Sequence, residues 1–187
     1  AETLFARGAP PAATYTFKHA LIQETAYQSL LKRLRQQLHA RVAEVLEERF
    51  PERVAVEPEV IARHYDQAGL AAQASAHYQR AAERATRRSA NEEAIGHLRR
   101  ALDLVATLPE TRERHQMELA LQMAIGAPLG AAKGWSHPEY EQTYTRAREL
   151  ASQIGEAPEL PGVLAGMAHA SFVKGDLATA AEIAEEA

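Results

Sequence analysis

The feature that most restricts how this chain can fold is a spacing of small and large residues between positions 78 and 101. Tyr78, Ala81, Ala82 and Ala85 lie on one face of a helix, and Ala94, Leu98 and Ala101 lie on one face of a second. Ala94 follows Ala82 by 12 residues, which leaves room for one tight turn. The small positions let two helices touch, and the large ones fill the space between them. The same offsets recur at Leu164, Met167, Ala168, Ser171, Ala180, Ala184 and Ala187, with Gly175-Asp176 in the turn. Tyr140, Tyr144 and Ala147 repeat the second-helix part. Such a pattern excludes a central sheet and predicts stacked helical hairpins.

These residues resemble the packing positions of tetratricopeptide (TPR) repeats, with Tyr78 where Trp is usual and Ala82 where Gly is usual. The expected fold is therefore mainly α: a small N-terminal β-hairpin followed by an antiparallel TPR-like array of about eight helices. The expected division is residues 1–50, a hairpin with two helices, and 51–187, the repeats.

Local signals place the other elements. Leu4-Phe5 and Tyr15-Thr-Phe17 are strand candidates around a turn at Arg7-Gly-Ala-Pro-Pro11. They read as a packed hairpin or as a loose terminus. A helix is predicted from Lys32 to Phe50, with Leu31, Leu34, Leu38, Val42 and Val45 as a buried stripe. Its charges run against the helix dipole: Lys32, Arg33, Arg35 and Arg41 come early, and Glu44, Glu47 and Glu48 come late. That order fits either a basic patch facing an acidic neighbour or phosphates, or a solvated face with pairs such as Arg41–Glu44. Residues 52–57 read as a loop, and Pro58 starts a helix that Gly69 ends. Helices follow over Ala71–Arg88, Asn91–Leu108 (capped by Ser89 or Asn91), Arg112–Ile125 and Pro138–Ile154. Gly126 to Ser136 reads as a long loop holding Trp135, the only Trp. Trp135 is there either a hydrophobic plug or a contact for a partner.

The stretch Tyr15 to Leu31 passes from strand-like alternation to helical spacing, and contains Phe17, His19, Leu21, Ile22, Glu24, Ala26 and Tyr27. This Phe-x-His-x-Leu-Ile-x-Glu-x-Ala-Tyr run resembles the end of the winged-helix part of bacterial STAND signalling ATPases. Its nearest likeness is to those fused to class III adenylate/guanylate cyclase or LuxR-type domains, and it covers residues 1–155. The resemblance implies that the hairpin is the wing of a winged helix. It implies a signal-transduction region joined to an upstream ATPase that holds ATP or ADP and Mg. It also implies that His19 matches the nucleotide-sensing His of a Met-His-Asp motif, with Ala20 in place of the Asp.

Composition sets the remaining bounds. Of the 187 residues 46% are hydrophobic, enough for a core, and the net charge of −4 gives no general attraction to nucleic acid or anionic lipid. No apolar run approaches a membrane span. With no Cys, disulfides and thiol catalysis are excluded. Gly126, Gly130, Lys133 and Gly134 miss phosphate-loop spacing, and no His-Glu-x-x-His occurs. His39, His64, His77, His97 and His115 are scattered one per helix and are not expected to bind metal. The expectation is a non-catalytic, cytoplasmic, protein-interacting region with no cofactor of its own. Its partner would be a protein or peptide, or the ATPase of the same polypeptide. The competing expectation is a winged-helix module of a transcription regulator that contacts DNA, although the wing carries only Arg7 and Lys18.

Overall fold

The computed structural model describes residues 4–9, 13–155 and 157–186. It is mainly α. A two-stranded antiparallel hairpin, β1 (Leu4–Arg7) and β2 (Thr14–Phe17), pairs Leu4 with Phe17 and Arg7 with Thr14. Part of the expected turn, residues 10–12, lies outside the described residues. Ten helices follow: α1 (Ala20–Ser29), α2 (Lys32–Arg49), α3 (Pro51–Val56), α4 (Pro58–Ala68), α5 (Ala71–Arg87), α6 (Asn91–Val105), α7 (Arg112–Lys133), α8 (Pro138–Ile154), α9 (Leu160–Lys174) and α10 (Leu177–Glu186). From α4 onward each helix packs on the next, and α2 packs on α4.

The repeat register is built as spaced. Tyr78, Ala81, Ala82, Ala85, Ala94, Leu98 and Ala101 are all buried, as are Tyr140, Tyr144 and Ala147. Alanine at the contact lets the helices approach closely. In the last pair Leu164 and Ala180 are buried and Ala184 is exposed, while Ala187 lies outside the described residues. One slot needs glycine: the Tyr144 ring on α8 lies between Gly126 on α7 and Gly166 on α9. A Cβ at either glycine would overlap the ring.

Four expectations are corrected. Among the described residues the helix count is ten, not about eight; of two segments read as loops, one is a helix of its own and the other extends α7. Residues 52–57, read as a loop, mostly form α3: Pro51 starts it at the first helical position, and half-buried Val54 ties it to the core. The supposed loop after Gly126 is mostly the last two turns of α7, which runs through Pro128 to Lys133. Pro128 removes a helical hydrogen bond, but Ile125, Pro128, Leu129 and Gly130 are buried there, and tertiary burial overrides local preference. Neither Ser89 nor Asn91 caps α6; Ala90 holds that position without a side-chain bond. The fourth correction concerns α2. Leu31, Leu34, Leu38 and Val42 are exposed rather than buried. The helix instead turns Ala43 and Leu46 into the core shared with Ile61 on α4.

Candidate interaction surface

Three clefts adjoin along one side of α5. The first, about 440 Å³, lies among α2, α3, the start of α4 and α5, where Arg80, Glu83 and Arg87 face Pro51 and Val54. The second, about 320 Å³, shares Glu83 and Arg87 with it and reaches Ala124 on α7. The third, about 310 Å³, shares Gln79 with the second and is closed by Gln116 and Met117 on α7. The result is one continuous groove, mixed in polarity at the first cleft and mainly apolar along the second and third, on the side where α5 packs on α7 and α7 on α9.

The groove residues sit at 76, 79, 83, 86 and 87, between the packing positions at helical spacing. Each packing residue on α5 therefore fixes a groove residue about one position away. Arg80 and Arg87 have no ion-pair partner among the described residues, whereas Arg84 reaches the Ala55 carbonyl at 3.5 Å. Sequence reasoning missed these residues because it looked for packing positions. The signal was the set of polar residues those positions leave over.

Glu47, which lines the first cleft, anchors a polar cluster beside it. Glu47 on α2 accepts hydrogen bonds from the Tyr65 hydroxyl and, at 2.9 Å, from His77 Nε2. The Tyr65 and His77 rings stack at 5.5 Å. His77 is 4% exposed, and its Nδ1 has no partner among the described residues. A proton added at Nδ1 would be buried without an acceptor. Burial therefore holds the imidazole below its ordinary value and outweighs the opposite pull of Glu47.

The scattered histidines are partly gathered. His39 Nδ1 lies 2.9 Å from His64 Nδ1, and Tyr27 Oη lies 3.0 Å from His39 Nε2, linking α1, α2 and α4. No group of three His, Cys, Asp or Glu that could hold a metal occurs among the described residues.

His19 holds the N-cap position of α1. Its backbone carbonyl accepts from Ile22 and Gln23, its side chain makes no capping bond, and the residue is exposed. Trp135 folds back over Gly130, where a Cβ would overlap the indole, and packs edge-on against Tyr140 and His169 at 5.4 and 5.1 Å. It is still 38% exposed. His19, Trp135 and the α5 groove belong to separate regions of the chain. No described helix is long and apolar enough to cross a membrane.

No family model matches the chain. It is similar to an uncharacterized protein of Rhizobium meliloti, with 31% identity over 142 residues. The match takes in 76% of this chain but only 14% of that protein's length.

Proposed function

We propose that this chain is a non-catalytic interaction and regulatory region of a larger cytoplasmic signalling ATPase of the STAND kind, with ATP or ADP and Mg held in an upstream domain. The reading is supported chiefly by the continuous groove along α5 and α7, whose charged first cleft and mainly apolar remainder suit an amphipathic segment of protein. The size of the Rhizobium relative fits a multidomain setting. The Phe17-to-Tyr27 run supplies the family and the joint: the hairpin and α1 connect the nucleotide switch to the repeats.

In this reading the groove takes a segment of the ATPase in the resting state. His19, at the start of α1, faces the nucleotide phosphates, where free backbone N–H groups favour anions. The test adds this chain in trans to the upstream part of the same polypeptide and measures binding by calorimetry. Reversing Arg80 and Arg87 to Glu is expected to weaken binding by about tenfold or more. In the full-length protein, His19→Ala is expected to loosen ADP. No binding in trans, together with unchanged ADP affinity in the His19 variant, sinks the proposal.

A further inference from the structure

We propose that His39 and His64 form a proton-operated latch that holds α1, and the hairpin ahead of it, against the helix array and releases them on acidification. The latch crosses three helices. Tyr27 Oη on α1 lies 3.0 Å from His39 Nε2 on α2, and His39 Nδ1 lies 2.9 Å from His64 Nδ1 on α4. The core anchors α4 through Ile61, Ala62 and Tyr65, and α2 through Ala43. By contrast, α1 has no buried residue. Its joint to α2 is Leu30 and Leu31, both outside helical backbone (ψ 139° and 141°). A change at those two residues moves α1 while each helix keeps its own hydrogen bonds.

The contact between the two Nδ1 atoms works only while one of them is bare. With both rings neutral, or with one extra proton on the pair, one Nδ1 donates and the other accepts. With two extra protons both Nδ1 atoms carry hydrogen, and two cationic rings face each other with centroids 5.1 Å apart. The core fixes α2 and α4, so the His39 side chain is the part that turns away, and it leaves Tyr27 as it does so. Neighbouring charge acts in the same direction. Arg35 on α2, with its guanidinium over the Tyr27 ring at 5.1 Å, and Arg63 on α4 both oppose charge on the pair. From α1 the pair meets the neutral Tyr27 hydroxyl. Among the described residues no carboxylate of α1 to α5 is hydrogen-bonded or ion-paired with either ring, whereas His77 has Glu47 at 2.9 Å. With α1 away and His39 turned into water, the rings no longer share one site, and they take protons nearer their ordinary value of 6.5. The released state therefore binds the second proton more readily than the docked state. Docking is lost as pH falls below that value, by up to about tenfold per pH unit, the limit for one additional proton.

The chain has no cysteine, so spin labels attach only at introduced thiols, here Gln23→Cys on α1 and Glu92→Cys on α6, both exposed positions. Pulsed electron resonance is expected to give one narrow distance at about pH 7.5 and a second, broad population that grows reversibly towards about pH 5. Helicity by circular dichroism is expected to stay constant over that range. In the chain with native histidines, the imidazole nitrogen shifts of His39 and His64 are expected to titrate with the midpoint of the distance change. His64→Gln alters no group on α1 or α2 and offers His39 Nδ1 an amide oxygen at any pH, so it is expected to remove the acid step. A distance that is already broad at neutral pH, or that ignores acid, overturns the latch. So does an imidazole titration with a different midpoint, which is read without the His64 variant and stands even if that variant fails to fold. An acid step that persists unchanged in His64→Gln overturns it as well.

Discussion

Three imidazoles sit where the fold favours their neutral form. His39 is held below its ordinary value of 6.5 by burial and then by Arg35. For His64 the causes are burial, then His39 and Arg63, and for His77 burial prevails over Glu47. The sign follows from proton binding. Below pH 6.5 the unfolded chain binds protons that the folded chain resists, so these groups stabilise the fold above that pH and lose the contribution as pH falls. The melting temperature is expected to drop on acidification from neutral pH, and His39→Gln with His64→Gln to make the drop shallower. An unchanged slope in that double variant would show that the pair is not responsible. Packing is also decided residue by residue. Ala94→Leu, fully buried between α5 and α6, is expected to cost roughly 1–3 kcal/mol by overpacking, measured by urea denaturation. Ala94 was legible because small residues recur at a fixed period. The Tyr144 slot was legible only on one side, since Tyr144 belongs to that period while Gly126 and Gly166 are defined by a ring from another helix.

At the scale of elements, three turns share one hydrogen-bond pattern. Leu70 N–H donates to Tyr65 O, Ala90 N–H to Ala85 O, and Asp176 N–H to Ser171 O, at 2.9, 2.9 and 3.0 Å. Each closes a helix C-terminus through one left-handed residue. That residue is Gly69 (φ 77°) after α4 and Gly175 (φ 83°) after α9, but Ser89 (φ 59°) after α5. A side chain there costs roughly 1–2 kcal/mol. Ser89→Gly is accordingly expected to stabilise the chain by up to about 1 kcal/mol, after the added freedom of the unfolded chain is subtracted. A decrease in stability would mean that the Ser89 side chain contributes more than its conformation costs. These turns explain why the middle helices could be bounded from sequence: Gly69 and Gly175 punctuate the repeat. The same logic failed where a breaker sits inside packed structure. Pro51 ended one helix but began another, and Pro128 with its flanking glycines resembled a loop until Tyr144 and Trp135 closed over them. For α2 the periodicity correctly identified an apolar face. Periodicity alone carries no information on whether that face or the neighbouring one, with Ala43 and Leu46, meets the core.

The whole molecule has its stability unevenly placed. One core runs from Ala43 on α2 through α4–α8 to Ala170 on α9, and a second, smaller one joins Leu119, Leu150, Ile154 and Val163 on α7, α8 and α9. The hairpin and α1 contribute no buried residue to either: both strands are exposed throughout, and Leu21 on α1 is 81% exposed. What holds α1 to the array is polar and narrow, namely Tyr27 against His39, Arg35 on Gln28 at 2.7 Å, and the Arg35 guanidinium over the Tyr27 ring. A two-stranded hairpin with no apolar face covered is marginal in water. Local opening free energy follows buried apolar contact, so amides should not exchange uniformly. In the isolated chain, α5 and α6 are expected to exchange hydrogen slowest, at rates set by global unfolding. The two strands and α1 are expected to exchange orders of magnitude faster, although they form regular structure. If the hairpin packs as a wing on an upstream domain of the kind proposed above, adding that domain should slow exchange in the strands and α1 selectively and leave α6 unchanged. Slow exchange of the strands and α1 in the isolated chain would show that they are stable by themselves, and would remove the physical reason for expecting them to need a neighbour.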